Sequence, residues 1–306
     1  MAGTLRGGVI GAGVFGGYHA RQYAQADHAK LAAVYDPDMA RATAVAEKYG
    51  AASYNDLDGF LQAVDVVTVA SPGIYHAEGT LAALRAGKAV YVEKPLAVSL
   101  TDADRIIEEA ARRNLVVAAG HQERVIFAAI GLFGIPAQPL RLEAVRHGPP
   151  SERSLDISVV LDLMIHDLDL ALSLSAGAPL AAEADGTRDY SGGWDEVRAE
   201  VSFDSGFTAV FDASRMAPAR KRTMKLTYPT GVLEIDFLTR EFRNTTGFAL
   251  NPDFADTPGA KDPLGASVAA FLACVQGEAP RPTVTAGEAA QALDLALAVE
   301  QAAERG

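Results

Sequence analysis

Asp162, His166 and Asp169 stand four and then three residues apart in a run that is otherwise almost wholly apolar, from Val159 through Leu161, Met164, Ile165 and Leu168 to Leu172. At 3.6 residues per turn, this spacing sets all three on one face of a helix over Ser158 to Leu174. A helix apolar around most of its circumference is largely buried, and charged groups there are costly unless paired or used. One reading is a structural Asp–His pair that caps a sheet. The sharper one is an acid–base site, in which Asp162 orients and polarises the imidazole of His166. That ring titrates near neutral pH and can take a hydroxyl proton. No metal is expected, because no second His, Asp or Glu cluster supplies the remaining ligands.

A second constellation lies nearer the N-terminus, at Gly11-Ala12-Gly13-Val14-Phe15-Gly16. It follows the apolar run Leu5 to Ile10, opens a helical pattern, and has Asp36 at the end of the next apolar run, Leu31 to Tyr35. That context marks a dinucleotide-binding turn. Gly11 permits the tight turn, Gly13 admits the pyrophosphate and Gly16 lets helix and strand pack closely. The amides of Val14 and Phe15 at the helix start face the diphosphate. Asp36 suits the ribose hydroxyls and repels a 2′-phosphate, which favours NAD over NADP. Further along, Ser71-Pro72, His76 and Glu93-Lys94-Pro95 follow two more strand-like runs. In an open parallel sheet the carboxyl ends of strands line the ligand crevice.

The elements that must position these groups divide the chain in two. Over residues 1–119, strand and helix patterns alternate, which predicts a doubly covered parallel sheet of the Rossmann type. Ser99 to Asp102 opens one helix there, with Thr101 a candidate N-cap. Over residues 120–306, period-two runs recur at Leu140–Arg146, Glu196–Phe203, Phe207–Phe211, Met224–Tyr228 and Val232–Phe237. They predict an α+β domain with an open, mostly antiparallel sheet. A long loop is expected from Asn244 to Asp262, then two closing helices, Leu264–Gln276 and Ala286–Glu304.

Together these motifs resemble the glucose–fructose oxidoreductase, inositol dehydrogenase and rhizopine-catabolism family (Gfo/Idh/MocA). The resemblance rests on the glycine turn, Ala70-Ser71-Pro72 with His76, Glu93-Lys94-Pro95, and Asp162 to His166 with Asp169. It implies an NAD-dependent dehydrogenase in which Lys94, Asp162 and His166 are catalytic. Lys94 would stabilise the charge developing on the reacting hydroxyl oxygen. The implied nucleotide-side residues are Gly11, Gly13, Val14, Phe15, Gly16, Asp36, Ser71, Pro72, His76, Glu93 and Lys94. The resemblance also implies a homodimer or homotetramer packed on the second sheet's other face. His121 to Arg124, Glu143 to Arg146, Val160 to Leu170 and Ala213 to Arg215 look like the family's nucleotide-sugar 3-dehydrogenases. Members acting on UDP-N-acetylglucosamine supply a 3-keto sugar to a partner aminotransferase in making amino-substituted lipid A.

Composition and charge bear on the substrate. Of 306 residues 49% are hydrophobic, which excludes a disordered chain, and the net charge of −12 argues against nucleic acid. No uninterrupted apolar stretch is long enough to span a membrane, and the lone Cys274 sits in an apolar run as a small core residue. The reading is of a cytoplasmic enzyme or sensor. Residues 1–118 hold 11 basic and 13 acidic side chains, against 16 and 26 in the remainder. Within that acidic remainder, Ala213 to Leu233 carries Arg215, Arg220, Lys221, Arg222 and Lys225 and no acid. This is either a solvated basic turn or, with Arg124, Arg146 and Arg153, a pocket for a phosphate-bearing sugar. A free polyol or monosaccharide is the alternative substrate, and a non-catalytic NAD-dependent sensor the alternative class.

Overall fold

Near-continuous runs of Val, Ala and Ile make strands that are buried on both faces, the signature of a parallel sheet covered by helices. The computed structural model, which describes residues 3–152 and 154–305, builds its first sheet from six such strands. In chain order the elements are β1 (Leu5–Ile10), α1 (Val14–Gln25), β2 (Ala29–Tyr35), α2 (Met39–Ala46), β3 (Ala52–Tyr54), α3 (Leu57–Ala63), β4 (Val66–Val69), α4 (His76–Arg85), β5 (Ala89–Val92), α5 (Leu100–Arg113) and β6 (Val117–Ala119). The strands are all parallel and run in the order β3-β2-β1-β4-β5-β6. That is the doubly wound dinucleotide-binding order, and it reverses direction between β1 and β4. The α5 N-cap is Ser99, whose hydroxyl accepts from Asp102 N, in place of the expected Thr101. Thr101 lies inside the first turn, where its backbone is already helical, whereas a cap residue is extended.

The second sheet starts with a helix, α6 (Glu123–Ile130), and β7 (Arg141–His147), followed by a π-turn at Val160–Met164 and α7 (Ile165–Leu174). Six strands follow: β8 (Pro179–Thr187), β9 (Glu196–Phe203), β10 (Thr208–Ser214), β11 (Lys221–Tyr228), β12 (Gly231–Asp236) and β13 (Phe242–Asn244). They pair in the order β13-β12-β11-β7-β10-β9-β8, antiparallel except for the parallel β7–β10 pair. Along β7, Leu142, Ala144 and Arg146 are buried while the residues between them are half-exposed. This alternation marks one covered face, on which the π-turn packs. The expected loop between Asn244 and Asp262 contains a short helix, α8 (Pro258–Lys261). Strand β8 carries only Thr187, at its end, of the β-branched and aromatic residues that announce a strand, and most of it is exposed.

The closing helices are α9 (Pro263–Val275) and α10 (Ala286–Ala303). Contacts divide the chain into one unit running to Gln122 and taking in Asp262–Ala290, and another of Glu123–Lys261 with the residues from Gln291 onward. The return of α9 to the first unit departs from the expected division after residue 119. Its cause is apolar packing. Val268, Phe271 and Leu272 of α9 join the core formed by Val9, Tyr23, Val34 and Tyr91. Tyr91 also donates to Ser267 Oγ at 3.1 Å.

Candidate functional site: a nucleotide turn and a His–Glu–Arg chain

In the first unit, β1, β2, β4 and β5 all point their carboxyl ends at the glycine turn. Gly11 has φ +96°, a conformation that L side chains rarely adopt, and a Cβ there would meet the Ser71 backbone. A Cβ on Gly16 would fall on the Gly11 carbonyl, so only glycine lets α1 start this close to β1. Gly13, by contrast, has nothing within 4 Å of such a Cβ. It is the N-cap of α1 and makes no side-chain cap to the first turn. Val14 and Phe15 are exposed beside it. Asp36 is buried at the end of β2, where its carboxylate accepts from Ala12 N at 2.8 Å and Asp38 N at 2.9 Å. Its remaining lone pairs are free for hydroxyl donors. Ser71 Oγ is buried with no hydrogen-bond partner among the described residues. An open cradle at Gly13, an orphaned hydroxyl at Ser71 and a carboxylate with spare lone pairs at Asp36 fit a dinucleotide.

Other residues expected on the nucleotide side brace the strand ends. His76 is buried, with Nδ1 2.6 Å from Pro95 O and Nε2 2.8 Å from Ser71 O, and burial pushes its pKa down. It ties the end of β4, beside the exposed Pro72, to the turn after β5. Glu93 is also buried, and its Oε1 meets His19 Nε2 at 2.7 Å and accepts from Gln122 Nε2 at 2.9 Å. Burial alone would raise this carboxyl, but the hydrogen bond and charge of His19 hold it below the ordinary range. Lys94 follows β5 directly and is half-buried. Its backbone is thus anchored through the residues on either side. His19 escaped the sequence reading, although a lone histidine one turn past Gly16 on a packed helix was the available signal.

In the second unit, the structure assembles a chain of hydrogen bonds along the covered sheet face. His166 Nδ1 meets Glu123 Oε2 at 2.7 Å, and Glu123 Oε1 accepts from Arg146 Nη1 at 2.9 Å. Arg146, 2% exposed, also forks onto Asp167, with Nε donating at 2.9 Å and Nη2 at 2.8 Å. Burial works against the Glu123 carboxylate, yet the charges of His166 and Arg146 hold its pKa well below the usual range. With Glu123 anionic, Nδ1 carries the proton donated to it, so proton exchange on the ring falls to Nε2.

The helix expected over Ser158 to Leu174 is α-helical only from Ile165. Ile165 N donates to Val160 O, five residues back, so the backbone is wound as a π-turn through Asp162 before the α-helix begins. His166 and Asp169 keep their α-helical spacing within α7, while Asp162 lies in the π-turn that precedes it. Turns of this kind often accompany functional sites. The carboxylate on His166 Nδ1 is Glu123, a residue sequence reasoning passed over, although it stands just beyond the end of β6. Asp162 is half-buried within the π-turn. Asp169 is fully buried and held by Arg124 through two bonds, Nε to Oδ2 at 2.8 Å and Nη2 to Oδ1 at 2.7 Å.

The arginines expected to hold an anion separate in the same way. Arg124 and Arg146 are committed to Asp169, Asp167 and Glu123. Arg215 is buried, donating to Ser154 O at 3.1 Å and Ile157 O at 2.9 Å, where it braces the segment leading into the π-turn. Arg222 is half-buried on β11. Arg153 lies outside the described residues. No group of His, Cys, Asp and Glu among the described residues could hold a metal ion, and no helix among them is long and apolar enough to cross a membrane.

Comparison with known proteins places these two sites in one family. A family model described as an oxidoreductase family with an NAD-binding Rossmann fold matches residues 5–121, and the GFO/IDH/MocA C-terminal domain matches residues 142–234. The chain belongs to the GFO/IDH/MocA oxidoreductases. Its first unit is an NAD-binding Rossmann domain. Among relatives, UDP-N-acetylglucosamine 3-dehydrogenase of Acidithiobacillus ferrooxidans is 33% identical over 98% of this chain and 99% of its own. A crystal form of that enzyme superimposes with a TM-score of 0.91 over 100% of this chain and 99% of its own, at 32% identity. Myo-inositol 2-dehydrogenase of Thermotoga maritima is 32% identical, covering 70% of this chain and 69% of its own.

Proposed function

We propose that the chain is an NAD-dependent sugar dehydrogenase that oxidises a secondary hydroxyl to a ketone, at C3 of a UDP-linked N-acetylhexosamine. The observation that carries the catalytic part is the His166–Glu123–Arg146 chain, anchored on the buried Arg146. It keeps a proton on Nδ1, so that Nε2, in its deprotonated form, can take the hydroxyl proton as the carbinol hydrogen departs. Bound NAD supplies the acceptor for that hydrogen with its electron pair. Lys94, held by the anchored turn after β5, donates to the substrate oxygen and stabilises its developing charge. Asp162 completes the polar group around the hydroxyl. The full-length likeness to a UDP-N-acetylglucosamine 3-dehydrogenase supports the substrate, and with it a place in amino-sugar synthesis and a homo-oligomer built on the second sheet.

A free polyol is the second reading. It is favoured by the inositol dehydrogenase relative and by the internal pairing of Arg124 and Arg146, which removes two expected anion contacts. One screen separates the two. Purified protein with NAD is offered UDP-sugars and free sugars, and NADH is followed by absorbance. Turnover of UDP-N-acetylglucosamine with a kcat/KM well above that for free sugars is expected, and turnover of free polyols alone sinks the nucleotide-sugar reading. His166→Ala should retain NADH binding while kcat falls by about 10²–10⁴. Wild-type turnover in that variant removes the acid–base assignment.

A further inference from the structure

Arg222 stands directly opposite Arg146 in the antiparallel β7–β11 pair, and directly opposed residues share a sheet face. Arg146 lies on the face that meets Asp167, so Arg222 presents its side chain on that same face. Two like charges opposed across a ladder are destabilising, and a half-buried cation needs a counter-charge. The local carboxylates do not supply one. Both oxygens of Asp167 accept from Arg146, while those of Glu123 are taken by Arg146 and His166. Among the described residues, no carboxylate lies within 4.0 Å of the Arg222 guanidinium. The exposed Arg220 adds further positive charge nearby. Burial and the charges of Arg146 and Arg220 push the Arg222 pKa down, outweighing the more distant carboxylates of Glu123 and Asp167.

We propose that Arg222, with Arg220 at its rim, recognises an oxyanion carried by the substrate. In the nucleotide-sugar reading, on which the identity of this anion rests, it is a phosphate oxygen. A guanidinium fork suits such a group. Arg222 therefore sets the preference for a charged sugar over a neutral one, whereas Arg124, Arg146 and Arg215 hold the scaffold.

The test compares wild type, Arg222→Gln and Arg222→Lys as NAD-loaded enzyme. KM for UDP-N-acetylglucosamine and the inhibition constant of UDP should both rise by about tenfold to a hundredfold in Arg222→Gln, with a smaller change in kcat. Arg222→Lys, which keeps the charge and loses the fork, should show an intermediate loss, and it carries the test if the glutamine variant fails to fold. Constants within twofold of wild type in the variants overturn the assignment. Failure of the wild type to oxidise any nucleotide sugar would instead count against the functional reading alone. Calorimetric titration with UDP, glucose 1-phosphate and glucuronate then decides Arg222. Weaker binding of an anion by Arg222→Gln supports the proposal and identifies its source. Equal binding by both proteins, or none by wild type, refutes it.

Discussion

Replacing Glu123 by glutamine keeps the shape of the side chain and removes one acceptor oxygen. In the native chain each carboxylate oxygen has its own donor, Oε1 for Arg146 and Oε2 for His166. Glutamine has a single acceptor for two donors. If its oxygen stays on Arg146, its amide faces His166 Nδ1 and donates to it, which forces the ring proton onto Nε2 and disables the base. If its oxygen turns to His166, the amide opposes the Arg146 N–H, a buried donor–donor clash that costs about 1–3 kcal/mol. The disabling orientation is therefore preferred by roughly fivefold to somewhat over a hundredfold at 1.4 kcal/mol per decade. The lost negative charge also removes stabilisation of the imidazolium that forms during turnover. Together these predict a fall in kcat/KM of about 10²–10⁴. The assay is initial-rate NADH formation against pH on the preferred substrate, beside thermal unfolding to confirm the fold. A carboxylate beside a histidine favours its protonated form, so the acidic limb of the profile should move to lower pH as the plateau falls. A folded Glu123→Gln enzyme within threefold of wild type, with an unmoved acidic limb, refutes the positioning role.

Two further expectations test the first unit and the buried carboxylates. Gly16→Ala drives a Cβ onto the Gly11 carbonyl and should lower the melting temperature with or without NAD, a cost of about 1–3 kcal/mol or more. Gly13→Ala enters open space, so the NAD-free melting temperature should stay within about 2 °C while NAD affinity falls by about tenfold or more. Equal NAD affinity in Gly13→Ala and wild type would refute the cradle. For pH, Glu93 and Glu123 both have folded-state values depressed below the ordinary range. Their stabilisation is present above the unfolded value of about 4.3 and is lost as pH falls through the lower folded values. Melting temperature should therefore drop most steeply below about pH 4, with a shallower acid slope in Glu93→Gln. An unchanged slope there would show that the His19–Glu93 pair contributes nothing.

The order of strands and helices in the first unit was legible because each strand announced itself as an apolar run and each turn carried its glycine, proline or aspartate. The glycine turn was legible for the same reason, since all its contacts are local. The elements missed were those that local patterning does not mark. Strand β8 is an exposed edge with little apolar content, and the return of α9 depends on Phe271 and Leu272 meeting a core built some 180 residues or more earlier in the chain. The π-turn was invisible too, because one extra residue in a turn changes hydrogen bonding without changing composition.

The arginines show most clearly where sequence stops informing chemistry. Residue type identifies a cation but not its partner, and partners here come from distant positions: Arg124 with Asp169, Arg146 with Glu123 and Asp167. A buried guanidinium that already satisfies two carboxylates cannot hold a substrate anion without breaking those bonds, a loss of several kcal/mol in a buried ion pair. Abundance of arginine near a site is therefore weak evidence for anion binding. What discriminates is whether the protein's own carboxylate oxygens are exhausted. On the face beneath α7 the oxygens of Glu123 and Asp167 are all taken before Arg222 is reached, which turns a generally basic segment into a claim about one residue.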